Sequence, residues 1–266
     1  MERNRILQED AKFEYNAWDN VSLSEEKAKE ASAKIAHDET YIKETPEPVT
    51  YTPWNAFYQK HQASFYQERK WILKEFPELS EEGARIFEVG CGTGSSLTQL
   101  PKTSLVFGID CAPSAISIIK NRPELSEGNF EVHDLTLPTP FPYKDMNYIL
   151  LIFTLSAIHP DKHVPALKKI FASLKPGGML LMRDYGYMDM TQLRFRPQQI
   201  VAKNFYQRGE GTFAYFFTEA RAKEIFALAG FKLLEYKEDK RLLINRKKHL
   251  EMQRVWIQIR AVREIS

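Results

Sequence analysis

The densest chemistry in this chain lies in seven residues, Glu88-Val89-Gly90-Cys91-Gly92-Thr93-Gly94. Glycines at alternate positions let the backbone turn sharply and let a ligand approach without side-chain obstruction. Asp110 lies sixteen residues past Gly94 and ends the apolar run Leu105–Ile109. A carboxylate so placed can accept hydrogen bonds from both hydroxyls of a ribose. His133-Asp134-Leu135 follows a further apolar stretch. Asp134 can accept from an adenine amino group, and Leu135 can pack on the ring. These groups suit a small molecule that carries adenosine.

Two cofactors compete for such a site. A nicotinamide fingerprint needs G-x-G-x-x-G, but the sixth position counted from Gly90 is Ser95. The spacing is instead G-x-G-x-G, with Glu88 two residues before the first glycine. S-adenosylmethionine has no pyrophosphate to seat on a helix N-terminus. Its sulfonium and amino group favour a nearby carboxylate, which Glu88 supplies directly or by holding the loop. The spacing favours S-adenosylmethionine, held by Glu88, Gly90, Gly92, Gly94, Asp110, Cys111, Asp134 and Leu135.

The surrounding pattern alternates strands and helices, as a parallel sheet with right-handed crossovers requires. Strands are expected at Arg85–Val89, Leu105–Ile109, Phe130–His133, Tyr148–Phe153 and Met179–Met182. Helices are expected from Ser95 to Leu100, at Pro113–Asn121 and Val164–Leu174, and at Thr218–Ala229 with Thr218 as N-cap. Runs at Lys232–Tyr236 and Val255–Val262 lack an intervening helix, so they should pair as an antiparallel edge hairpin. The fold class that follows is α/β and Rossmann-like, a mostly parallel seven-stranded sheet with an N-terminal helical extension. Residues 1–50 read as a partly helical or flexible arm, with a polar helix near Lys27 to His37 that Pro46 and Pro48 close off. Residues 51–266 form the main domain. Its cap, 51–80, is rich in aromatics (Trp54, Phe57, Tyr58, Phe65, Tyr66, Trp71, Phe76), for which packing is the first explanation.

Composition excludes several classes. The two cysteines, Cys91 and Cys111, form no C-x-x-C pair and have no histidine cluster near them, so neither a disulfide framework nor a metal site is expected. The first 30 residues carry eight acids against five bases and no long apolar run, which argues against a secretory or transit signal. Nothing approaches the ~20 apolar residues of a membrane span. The expected address is the cytoplasm, with the nucleus not excluded. From Arg183 onward there are 17 Lys+Arg and 10 Asp+Glu, against 20 and 25 before it. A basic C-terminal third suits a polyanion such as RNA, but from charge alone a solvated basic surface is the simpler explanation.

The motifs Phe87–Gly94, Ile109-Asp110 and Lys175-Pro176-Gly177-Gly178 resemble class I methyltransferases. More narrowly, Leu151–Lys162, Arg183-Asp184-Tyr185-Gly186, Leu193-Arg194-Phe195, Asn204-Phe205-Tyr206 and Tyr215-Phe216-Phe217-Thr218 resemble methyltransferase-like enzymes that make N3-methylcytidine in tRNA. The front half, Trp54–Tyr58 with Phe65, Tyr66, Arg69 and Trp71, is similar too. The resemblance runs from Trp54 to Ala229 and implies methylation of cytidine 32 in the anticodon loop of serine and threonine tRNAs. It implies cofactor contacts from Trp54, Tyr58, Gly90, Asp110, Asp134, Leu135 and Ile152, and for some members seryl-tRNA synthetase as partner. The first 50 residues and the tail after Gly230 depart from it, which leaves the choice of tRNA open.

N3 of cytosine carries a free lone pair, so the transfer needs no strong base, but a paired base must be splayed out first. Asp184 is the expected catalytic group, holding the cytosine amino group or the developing charge, unless it pairs with Arg183 or Arg194. Phe153 and Tyr185 can stack on the base. Ser156, His159, Arg183 and Phe195 are expected around it, and Arg194 and Arg196 on phosphates. Arg246, Lys247 and Lys248 should form a solvated turn between the last two strands, a candidate contact for tRNA. The competing readings are a methyltransferase for a protein or small molecule, and an idle scaffold that binds tRNA or a synthetase.

Overall fold

The computed structural model describes residues 5–43, 52–61 and 68–265. The expectations for Phe65, Tyr66, Pro46 and Pro48 fall outside those residues. Apolar runs bounded by glycine and proline condense into one eight-stranded sheet. Its spatial order is β1 (Ala17–Asp19), β10 (Lys232–Asn245), β11 (Leu250–Val262), β6 (Leu174–Tyr185), β5 (Met146–Ile152), β2 (Arg85–Val89), β3 (Leu105–Asp110) and β4 (Asn129–Val132). The five strands from β6 to β4 run parallel, and β11, β10 and β1 add antiparallel beyond β6. The chain lays β2, β3 and β4 outward in one direction, then returns to place β5 on the other side of β2. That reversal opens a crevice at the carboxyl ends of β2 and β5, where ligands of open α/β sheets bind.

Both sheet faces are covered. Helices α5 (His163–Ser173) and α7 (Glu219–Leu228) pack together over one face, with Leu167, Ile170, Ile225 and Phe226 in its core. The other face carries α3 (Ile72–Glu75) and α4 (Pro113–Lys120), which bury Ile72, Phe76, Ile116 and Ile119. Thr218 caps α7 by accepting from the Arg221 amide. The expected helix from Ser95 to Leu100 is reduced to one 3-10 turn, Leu97–Gln99. Pro101 forces Leu100 into extended backbone, and the Ser96 hydroxyl turns inward to Glu88.

The arm is bound to the domain. Strand β1 pairs with β10 and buries Trp18 against Leu242 and Ile244, so the seven expected strands gain an eighth. Helix α1 (Glu25–Glu39), capped by Ser24, donates Lys34 Nζ to the Phe195 carbonyl at 2.8 Å, and Tyr206 Oη donates to Asp38 at 3.1 Å. These contacts seat α1 on α6 (Met190–Arg194) and on a small antiparallel sheet, β7 (Ile200–Ala202), β8 (Phe205–Gln207) and β9 (Phe213–Tyr215). Those three short strands have no counterpart among the sequence expectations. Helix α2 (Thr52–His61) packs on α4 and brings the aromatic cap over the crevice. No helix among the described residues is long and apolar enough to cross a membrane.

Candidate active site

The glycine loop follows β2 because the chain there must reverse over β3. Gly90 and Cys91 both donate their amides to the Ile109 carbonyl, at 2.8 and 2.9 Å. Gly90 (φ +74°) and Gly92 (φ +52°) lie in the left-handed region. A methyl group at Gly90 would collide with Thr154, and one at Gly92 would stand 2.5 Å from Tyr58 Oη. The loop therefore needs glycine for conformation and for space alike. Asp110 accepts from Gly92 N at Oδ2 and from Ala112 N at Oδ1, both at 2.9 Å. Burial pushes its carboxyl upward, and those two amides pull the other way.

Beneath the loop, Glu88 is fully buried. Its Oε1 accepts from Ser96 Oγ at 2.8 Å and from Arg69 Nη1 at 3.3 Å, while Oε2 is buried with no hydrogen-bond partner among the described residues. Burial outweighs Arg69 and pushes the carboxyl up to about 7. That orphaned oxygen lies beneath the glycine loop, and Glu88 itself does not line the cavity above it.

A cavity of about 750 Å³, counted with its mouth, opens above this loop. Its walls include Trp54, Tyr58, Gly90, Gly92, Asp110, Cys111, Asp134, Leu135 and Ile152. The sequence thus points to nine residues that the fold brings together. Glu88 and Gly94 are not among them: Glu88 is buried beneath the loop, and the missing Cβ of Gly94 faces Ile119 and Leu125. Asp134 is a turn residue as well as a wall: its Oδ1 accepts from the amide and hydroxyl of Thr136, both at 2.7 Å. Ribose and adenine acceptors, an apolar slot and a buried carboxylate fit S-adenosylmethionine.

A second cavity, of about 1060 Å³, abuts the first and shares with it Trp54, Arg69, Phe153 and Ala157. Phe57, Trp71, Ser156, Tyr185, Arg208, Glu210, Phe213, Arg254 and Trp256 complete its lining. Each arginine here lies over a ring of the same cavity: Arg69 over Phe153 at 5.9 Å, Arg208 over Tyr185 at 5.7 Å and Arg254 over Trp256 at 4.8 Å. The guanidiniums are anchored. Arg254 Nε donates to Asp189 at 2.8 Å, and Arg208 Nη1 donates to the Phe213 carbonyl at 2.8 Å. Phe153 marks the junction of the two cavities with a left-handed φ of 55°, which for a phenylalanine costs roughly 1–2 kcal/mol. Its amide, donated to the Arg183 carbonyl at 2.8 Å, helps hold that conformation.

Of the expected substrate residues, Phe153, Ser156 and Tyr185 face this cavity and the others do not. Arg183 is buried behind it on Asp239 and Gln258. Phe195 is stacked on Tyr206 at 4.9 Å in the small sheet's own core. His159 stands edge-on to Phe205, with Nδ1 accepting from the Asp161 amide. Arg194 and Arg196 are exposed outside both cavities. Asp184 requires a correction of place. It is fully buried, lines neither cavity, and accepts the Ser156 and Tyr185 amides at 2.9 Å each. Burial raises it to about 6. It holds the loop and the tyrosine that form the wall, and pairs with neither Arg183 nor Arg194.

Sequence reasoning missed Arg208, Glu210, Phe213, Arg254 and Trp256 as site residues. One signal was present: Arg254 and Trp256 are two apart on β11 and so share a sheet face.

Comparison with known proteins agrees with this architecture. Residues 58–236 match the family model described as a methyltransferase domain. The tRNA N(3)-methylcytidine methyltransferase Mettl2 of Drosophila melanogaster is 38% identical over 92% of this chain and 83% of its own. The tRNA(Thr) (cytosine(32)-N(3))-methyltransferase of Saccharomyces cerevisiae is 34% identical over 96% of this chain and 44% of its own. The crystal structure of a SAM-dependent methyltransferase from Anabaena variabilis shares the fold at a TM-score of 0.60, with 13% identity over 84% of this chain and 98% of that one.

Proposed function

The chain belongs to the methyltransferase-domain family, in its tRNA N(3)-methylcytidine group, and from that premise we propose that it methylates N3 of cytidine 32 in the anticodon loop of serine or threonine tRNAs. One observation carries the reading: two cavities meet at Phe153, one fitted to an adenosyl group and the other walled by aromatic rings and three arginines. When bound, S-adenosylmethionine supplies a sulfonium methyl that the N3 lone pair takes in one displacement, the C–S electron pair returning to sulfur.

The residues of the chain bind and orient. Asp110 and Asp134 hold the ribose and adenine, and Glu88, buried beneath the loop, holds it in place and sets a negative field for the amino group. N3 is blocked by pairing inside a stem, so the base must leave its stack to be reached. Trp71, Trp256, Phe153 and Tyr185 offer it stacking faces, and aromatic faces also favour the cation that methylation leaves on the ring. No residue has to remove a proton from N3. Asp184 acts through Ser156 and Tyr185, which it positions.

The edge hairpin supports a tRNA substrate. Strand β11 meets β6 last at Trp256, paired with Tyr185, and continues to the turn at Leu250, paired with Asn245. At about 3.3 Å per residue the tip stands ~20 Å beyond the sheet rim, on the side of the cavity mouth. Arg246, Lys247 and Lys248 are exposed on that tip, within reach of a phosphate backbone whose loop enters the cavity. Seryl-tRNA synthetase enters this reading through the family resemblance, as the partner to add when serine tRNA is the substrate. The test is to incubate the protein with methyl-labelled cofactor and a mixture of total RNA and cell protein. Label in the tRNA fraction supports the proposal, and label confined to protein or small molecules refutes it.

A further inference from the structure

Arg183 occupies a place in the fold that direct contact with substrate does not explain. It lies on β6 one residue before Asp184, with 5% of its surface exposed, and its charge is satisfied from behind the cavity. Nη2 meets Asp239 on β10, which Arg241 Nε also holds at 2.8 Å, and Nη1 donates to Gln258 Oε1 at 3.2 Å. The guanidinium lies 5.2 Å from the ring of Trp71 and 4.9 Å from that of Trp256. Trp71 immediately precedes α3 and Trp256 lies on β11, and both indoles line the second cavity.

We propose that Arg183 is a positioning residue that fixes the Trp71 and Trp256 walls and thereby sets how the extruded base stacks for reaction. This rests on the base-binding reading of the second cavity. The side chain suits the task. A guanidinium is planar, so it stacks on aromatic faces while its edge donates in plane to Asp239 and Gln258. A lysine at the same place keeps the charge and loses both the plane and the second anchored donor. Arg254, already over Trp256 from the cavity side, does not contact Trp71 in the same way, so Arg183 alone links the two indoles through one group among the described cation–ring contacts.

The experiment uses the full chain with unmodified tRNA and S-adenosylmethionine, comparing Arg183→Lys, Trp256→Phe and the double variant. Arg183→Lys should lower kcat about tenfold, with KM for tRNA and the Kd for S-adenosylhomocysteine each within about twofold, because phosphates and adenosine are bound elsewhere. The double variant should lose less than the product of the two single losses, because both changes disturb one wall. Near-ultraviolet circular dichroism should show altered tryptophan bands in Arg183→Lys with the far-ultraviolet spectrum preserved. Should the lysine variant fail to fold, Asp239→Asn loosens the same guanidinium and should reproduce the selective kcat loss. Unchanged kcat, or losses that multiply, would overturn the proposal. Unchanged tryptophan bands would overturn it independently of substrate, whereas a wild-type protein that leaves tRNA unmethylated refutes the functional reading and not the packing.

Discussion

The buried carboxylate under the glycine loop makes a quantitative prediction about cofactor affinity and pH. Glu88 has one oxygen tied to Ser96 and Arg69 and the other without a partner, and burial raises its carboxyl to about 7. About one tenth of it is ionised at pH 6 and about nine tenths at pH 8. If the ligand binds only when Glu88 is ionised, binding of S-adenosylhomocysteine should tighten about tenfold between those pH values, ~1.4 kcal/mol. The sign for stability is opposite. A carboxyl raised from 4.5 holds its proton in the folded state while the unfolded chain releases it. The empty protein therefore loses stability as pH rises from 4.5 through about 7, by an amount on the order of 3 kcal/mol at most. Calorimetric titration at pH 6, 7 and 8, on the wild type and on Glu88→Gln, measures the first effect. The variant should bind with a flat profile and more weakly than wild type at pH 8. Asp110, also raised by burial, and His133, lowered by burial, line the cavity above Glu88, so the variant separates Glu88 from them. A flat wild-type profile, or an unchanged slope in Glu88→Gln, refutes the assignment.

Three more outcomes are expected. Asp110→Ala removes the acceptor at the cavity and the partner of two loop amides, so calorimetry should detect no cofactor binding at concentrations that saturate the wild type. Asp184→Ala leaves the buried Ser156 and Tyr185 amides unpaired, about 1–3 kcal/mol each by denaturant unfolding, and should cut methyl transfer while cofactor Kd stays within about twofold. Replacing Arg246, Lys247 and Lys248 with alanine should raise KM for tRNA, leave cofactor affinity alone and flatten the dependence of log K on log salt by about 2–3, roughly 0.9 per lost phosphate contact.

The cofactor half of the site was legible because its determinants are local. The glycine loop, Asp110 and Asp134 each sit at the end of a strand that periodicity marks, and the fold brings those ends to one rim. The substrate half was legible only in part: Phe153, Ser156 and Tyr185 were expected there and the aromatic cap was marked, but Arg208, Glu210, Phe213, Arg254 and Trp256 join the wall from segments far from these in sequence. One error was avoidable. Arg183 and Asp184 are neighbours on a strand and point to opposite faces, so a single wall was not to be expected of both, and neither lines the cavity. The arm's contribution was hidden by its polar composition: Trp18 anchors β1, and α1 is held by Ala31 and Ile35 together with the polar contacts of Lys34 and Asp38. The long hairpin was shortened in prediction by its charged stretch Lys237–Arg241, whose members pair with one another and with Arg183 instead of signalling a loop.

Where the methyl group arrives decides the substrate of this enzyme. Mass spectrometry of nuclease fragments from serine and threonine tRNAs, treated with this protein and S-adenosylmethionine, should find one added methyl on the fragment containing cytidine 32, eluting as 3-methylcytidine after complete digestion. A methyl on any other base, or on carbon 5 or the ribose of that cytidine, would contradict the proposed function.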